Sequence, residues 1–163
     1  MRKQDLITLF EYNSWARDKI LTSAANLSYE QLSAEGSQSY GSIIGCLSHI
    51  FNAEAMWLKR CQDGVSPAAV RFPEPPESLD ELMAAWQAEQ PKFMAYLQTL
   101  DNEQLDRPVV YKGFSGREFE NTLWHILMQL VNHGVAHRAE LVGKLTELGH
   151  SPGDLDFLIY LRR

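Results

Sequence analysis

Apolar residues return at three- and four-residue intervals along most of this chain, and four stretches keep that rhythm long enough to be helices. From about Lys3 to Leu27 the stripe is Leu6, Leu9, Phe10, Ala16, Ile20, Ala24 and Leu27. Ser28 followed by Gln31 predicts a capped extra turn, and Gly36 with the Ser-rich stretch from Ser37 to Ser42 predicts a loop. The second helix, about Ser42 to Asp63, is apolar over more than half its circumference (Ile43, Ile44, Leu47, Ile50, Phe51, Trp57, Leu58), so it should touch more than one neighbour. Gly64 and Pro67 end it. Ser78 caps a third helix with Asp80 and Glu81 in its first turn, where carboxylates favour the helix dipole. Its apolar positions are Leu82, Trp86, Phe93, Tyr96, Leu97 and Leu100, and Pro91 among them predicts a kink or a split. The fourth helix runs from about Asn121 to Leu148 and closes at Gly149, and beyond Pro152 a short apolar tail, Leu155 to Leu161, is expected to dock on the bundle.

Between the second and third helices, Val65 to Glu77 holds four prolines and no helical period. It reads as a long crossover loop, because neither flanking half could bury a core alone. Val109-Val110-Tyr111 and Arg117-Glu118-Phe119 flank Lys112 to Gly116, the pattern of a short β-ribbon before the last helix. The expected fold is therefore all-α: a four-helix bundle spanning residues 1–163 as a single domain, with one proline-rich crossover.

Composition narrows the class. The 163 residues carry a formal net charge of −6 with scattered Lys and Arg, which argues against nucleic acid or acidic membranes as partners. Met1-Arg2-Lys3 leads into an amphipathic pattern instead of an apolar run, so no signal peptide is expected, and no stretch approaches a membrane span. Cys46 and Cys61 lie fifteen residues apart with no CxxC pattern; on one helix they are roughly 22 Å apart and cannot bridge. A reducing, cytoplasmic setting is expected.

Chemistry concentrates in QLVNHGVAHRAEL. His133 and His137 stand at i and i+4, one turn apart on one helical face, a spacing at which two imidazoles can share a metal ion. Ile126, Leu130 and Leu141 share their stripe, so the pair is predicted to point inward, where an imidazole needs a partner. The residues between them are Gly134, Val135 and Ala136, so the HExxH of metalloproteases is absent, and so is the Glu-x-x-His of di-iron bundles. A third ligand must come from another helix. His49 is the candidate, on a face with Cys46, Ala53 and Met56 at the edge of the apolar arc; a boundary histidine is an equal reading. Cys46 could ligate too, although a small buried hydrophobe is the simpler account. His125 is rotated about 80–120° from the pair and reads as structural, and His150 as exposed.

Asn13 and Arg17 interrupt the centre of the first helix's stripe. They are either a buried polar pair tied to backbone or carboxylate, or a pocket wall. Glu54 sits similarly in the second helix and could pair with Arg17 or Arg138, or accept from an imidazole N–H. Trp15 faces away from the stripe, to be covered by a neighbouring segment or used in a homodimer.

Four segments in register resemble the DinB/YfiT-like superfamily of metal-binding four-helix bundles: Tyr12-Asn13-Ser14-Trp15-Ala16; Ser42-Ile43-Ile44 with Leu47-Ser48-His49-Ile50 and Ala53 to Leu58; Asn132-His133 with His137-Arg138; and Gly149 with Pro152, Leu155, Asp156 and Phe157. The resemblance implies a nickel or zinc ion on His49, His133 and His137, and relatives that include transferases and isomerases using low-molecular-weight thiols. Ala136, and Ala139-Glu140, depart from the family's usual NHxxHHRxQ segment, so the substrate pocket is expected to differ. Three neutral imidazoles leave a divalent ion with an open position, and such an ion lowers the pKa of a bound thiol or water. The expected function is a thiol-dependent transferase acting on electrophilic small molecules in a stress or detoxification role. The alternatives are metal-dependent hydrolysis and a non-catalytic binding protein stapled by its metal.

Overall fold

The computed structural model describes residues 2–36 and 38–163; Ser37, within the expected Ser-rich loop, lies outside them. Four long helices carry the molecule: α1 (Lys3–Ala24), α3 (Ile43–Asp63), α4 (Leu79–Thr99) and α5 (Leu123–Glu147), with short α2 (Tyr29–Ser33) and α6 (Phe157–Leu161) beside them. A 3₁₀ turn (Gln104–Asp106) leads into an antiparallel ribbon of β1 (Pro108–Lys112) and β2 (Glu118–Thr122), registered from Pro108 opposite Thr122 to Lys112 opposite Glu118. Among the described residues no helix is long and apolar enough to cross a membrane.

The caps follow local chemistry. The Ser28, Ser42 and Ser78 side chains accept from the backbone N–H of Gln31, Gly45 and Glu81. Gly64 closes α3 with φ of 66°, a left-handed conformation costly for residues with a Cβ. Three expectations need correcting. Of the kink or split expected at Pro91, the split does not occur, since α4 runs unbroken through it; Pro91 and Gln87 are exposed, so water can bond the Gln87 carbonyl that loses its N–H partner. The last helix begins at Leu123, not Asn121, because β2 extends to Thr122 and feeds straight into it. α1 stops at Ala24, three residues short of Leu27.

Each long helix packs on two others: α1 on α4 and α5, and α3 on the same two. Two apolar clusters fill the resulting interior. Ile20, Ala24, Ile44, Leu47, Phe51, Trp86, Leu141 and Leu145 belong to one. Phe10, Leu58, Phe93, Leu97, Leu127, Leu130 and Val131 belong to the other. Between the clusters each helix presents polar atoms at a similar level: Asn13 and Arg17 from α1, Glu54 from α3, Gln90 from α4 and Arg138 from α5. The α6 tail docks through Tyr160, which with Phe157 and Leu155 packs against Tyr12 and half-buries Trp15; Leu158, Ile159 and Leu161 remain exposed.

The crossover and the ribbon are pinned to α3. The Asn52 amide donates to the Phe72 carbonyl at 2.7 Å and accepts from the Phe72 N–H at 3.1 Å. Arg60 lies 4.6 Å from the Trp57 ring and 4.9 Å from that of Tyr111, and donates to the Lys112 carbonyl.

Candidate metal centre

One ring from α3 and two from α5 converge beside the polar layer. His49 Nε2 and His133 Nε2 stand 2.8 Å apart, and His49, His133 and His137 each offer a nitrogen within 4.8 Å of the others. The i,i+4 spacing sets His133 and His137 edge-to-face with 4.5 Å between ring centroids, and α3 packed on α5 brings the His49 ring to 4.8 Å from each. The inward orientation expected for the α5 pair needs correcting. The buried residues of α5 are Leu123, Ile126, Leu127, Leu130, Val131, Gly134, Arg138, Leu141 and Leu145, and His133 and His137 lie half-buried at the edge of that face. His49 is likewise a boundary residue, so both readings of it meet in one side chain.

Burial, reinforced by the neighbouring histidines, pulls the His49 pKa down to about 4; burial and His137 lower that of His133. Neutral rings at physiological pH are the form that binds metal. The donor set fits a borderline-soft divalent ion. Two nitrogens bound tetrahedrally to one ion stand about 3.3 Å apart, so the 2.8 Å contact would open by about half an ångström on binding.

The surroundings are specific. Tyr40 stacks on His49 at 3.6 Å and 15°, covering one ring face. Glu140 lies on α5 one turn after His137, its Oε1 3.4 Å from His137 Nδ1. Hydrogen bonds from the Ser39 N–H and hydroxyl hold the Glu140 carboxyl below its usual range. Cys46 is fully buried, 3.9 Å from the His137 carbonyl, and burial raises its thiol to about 12. It reaches a second donor group with His137 and Glu140 but not the three-histidine group. A cleft of about 650 Å³ opens beside His49, walled by Tyr40, Ala53, Met56, Phe72 and Phe114, the last carried by the ribbon turn. Another cavity, about 640 Å³, lies along α1 beside Trp15 and Lys19 and contains none of the three histidines.

Asn13, Arg17, Glu54 and Arg138 do not line the cleft beside His49. Arg138 Nη1 donates to Asn13 Oδ1 at 2.6 Å, and Asn13 Nδ2 donates to Glu54 Oε1 at 3.3 Å. Trp86 Nε1 donates to Glu54 Oε2 at 2.8 Å, so Glu54 pairs with neither arginine directly and accepts from no imidazole. Arg17 bonds Asp18 and Gln90. These residues form the buried polar layer. His125 is exposed and outside the site; His150 is half-buried, not exposed as expected, because the chain reverses at Gly149 and returns its N–H to the Leu145 carbonyl. Sequence reasoning missed Tyr40, Ser39 and Glu140 as neighbours of the site. Glu140, at i+3 from His137, carried a signal in its spacing; Tyr40 and Ser39 sit on a loop with no periodicity to read.

Known proteins agree with this architecture. The sequence profile of the DinB family matches residues 1–163. Protein DinB of Bacillus subtilis (strain 168) is 26% identical over 160 residues, covering 94% of this chain and 91% of its own length. The crystal structure of a DinB-like protein from Bacillus cereus ATCC 10987 superposes with a TM-score of 0.67 at 18% identity, over 90% of this chain and 94% of the other, a likeness of fold.

Proposed function

This chain belongs to the DinB family, and we propose that His49, His133 and His137 hold one nickel or zinc ion in a thiol-dependent transferase acting on electrophilic small molecules. The observation that carries the reading is the convergence of three ring nitrogens within 4.8 Å beside an apolar cleft. An ion held there supplies Lewis acidity that lowers the pKa of an incoming thiol. The protein's own residues do the rest. His49 and His133, kept neutral by burial, present lone pairs at physiological pH. Ala53, Met56, Phe72 and Phe114 offer apolar walls that shed water and hold a hydrophobic electrophile close to the site. Transfer forms one sulfur–carbon bond as the leaving group departs with its electron pair and the thiol proton passes to solvent. The rival reading, a metal that only staples the bundle, draws on Cys46, a buried sulfur next to His137.

Elemental analysis after reconstitution tests the proposal. The wild-type chain should retain about one equivalent of nickel or zinc and His133→Ala less than about a tenth. Loaded wild type should then join a low-molecular-weight thiol to a fluorogenic electrophile, and His133→Ala should not. Equal rates in the two proteins would exclude metal-dependent transfer, and absence of bound metal in the wild type would remove the premise.

A further inference from the structure

Glu140 is tied to the site from two directions. On α5 it follows His137 by three residues, which sets its carboxylate against the Nδ1 edge of that ring at 3.4 Å. From the loop before α3, Ser39 grips both carboxylate oxygens: its N–H donates to Oε2 at 2.8 Å and its hydroxyl to Oε1 at 2.7 Å. The next residue is Tyr40, whose ring lies flat on His49 at 3.6 Å and meets His137 edge-on at 5.6 Å. Nδ1 of His137 is buried and has no hydrogen-bond partner among the described residues. A buried ring nitrogen left so is costly, and Glu140 Oε1 is an acceptor a few tenths of an ångström beyond bonding distance.

We propose that Glu140 is a positioning residue for the metal centre, accepting the His137 Nδ1–H and, through Ser39, fastening the loop that lays Tyr40 on His49. The inference rests on the three-histidine reading above. An imidazole that donates one N–H to a carboxylate is locked in a single tautomer, with its other nitrogen, Nε2, left as the electron-pair donor. Carboxylate support also makes that nitrogen more basic, and loss of such a partner costs about 10–100-fold in metal affinity. One side chain thus sets the orientation of one ligand and the cover over another, from two separate segments of chain.

Two measurements test it, one of them independent of metal. In the metal-free protein, imidazole ¹⁵N shifts should report His137 as the Nδ1–H tautomer in wild type and as a mixture in Glu140→Ala. An Nε2–H tautomer in wild type overturns the proposal. In chelator competition with zinc, Glu140→Ala should bind about 10–100-fold more weakly than wild type, and Glu140→Gln should fall between, since its amide oxygen still accepts but carries no charge. Affinity of Glu140→Ala within about twofold of wild type overturns it. Cobalt(II) substitution separates positioning from direct ligation through the neighbouring Cys46–His137–Glu140 group. A thiolate-to-cobalt band that vanishes in Cys46→Ala makes Cys46 a ligand and puts the ion in that group, which overturns the positioning role; absence of that band, with the same d–d band pattern in wild type and Glu140→Ala, supports it. A wild type with the Nδ1–H tautomer that fails to bind zinc would sink the three-histidine reading while leaving the Glu140–His137 bond standing.

Discussion

Gly134 shows how tightly the residues around the histidines are constrained. It lies between His133 and His137 on the buried side of α5, where a Cβ would stand 2.7 Å from Arg138 Nη1 and 2.9 Å from Asn13 Oδ1. Those two atoms form the 2.6 Å hydrogen bond that links α5 to α1. Neither is free to retreat: Asn13 also bonds Glu54, and Arg138 is a buried cation whose pKa burial lowers. Gly134→Ala should therefore destabilise the fold by about 1–3 kcal/mol despite alanine's better helix propensity. Chemical denaturation would check this, with Gly143→Ala as control, because a Cβ at that site of the same helix meets nothing within 4 Å. A Gly134→Ala protein as stable as wild type would show that the polar layer yields easily. The glycine was visible in the sequence; its reason was not, because it depends on an asparagine 121 residues earlier in the chain.

At the scale of elements, the crossover between α3 and α4 forms one wall of the cleft. Periodicity showed only that this segment is not helical. Its position depends on Asn52, whose amide bonds the Phe72 backbone in both directions and seats the Phe72 ring 5.4 Å from that of Phe51. Such two-point side-chain-to-backbone clamps lie outside any local pattern. Asn52→Ala removes both bonds and leaves a partly buried peptide group without partners, a cost of about 1–3 kcal/mol. That cost falls mainly on the local opening of the crossover. Amide hydrogen exchange should accelerate across residues 65–76 while the amides of α1 and α5 change little. Uniform acceleration throughout the chain would show that the crossover does not open on its own. The helices, in contrast, were readable because each buries a stripe set by its own 3.6-residue period. Their errors cluster at ends and at Pro91, where solvent exposure, not sequence pattern, decides whether a broken hydrogen bond matters.

For the whole molecule, the histidine cluster couples stability to pH. His49 has a folded pKa of about 4 against an ordinary 6.5, lowered first by burial and then by His133 and His137. Between those values the unfolded chain binds a proton that the native state refuses, so the stability of the metal-free protein rises with pH through this window and falls as pH drops toward 4. His133 is shifted in the same direction, and the lowered Glu140 carboxyl adds a loss of stability at more acidic pH. Thermal unfolding of metal-free protein should show the midpoint falling from about pH 7 to about pH 4, with a shallower slope in His49→Gln. Identical profiles for the two proteins would mean that His49 titrates normally in the folded state.

The sequence by itself determined four amphipathic helices, a proline-rich crossover, a short ribbon before the last helix and the same-face pairing of His133 with His137. All of these follow from local periodicity, turn chemistry and the pitch of a helix. The tertiary structure alone decided that α3 lies against α5 so that His49 meets the pair, and that Asn13, Glu54 and Arg138 form a chain of hydrogen bonds between two apolar clusters. It also brought Ser39, Tyr40 and Glu140 around the imidazoles. The physical reason is common to these cases. A stripe records which face of a helix is buried, but not the rotation and axial offset at which two helices pack, and side chains from distant segments meet only once those are set.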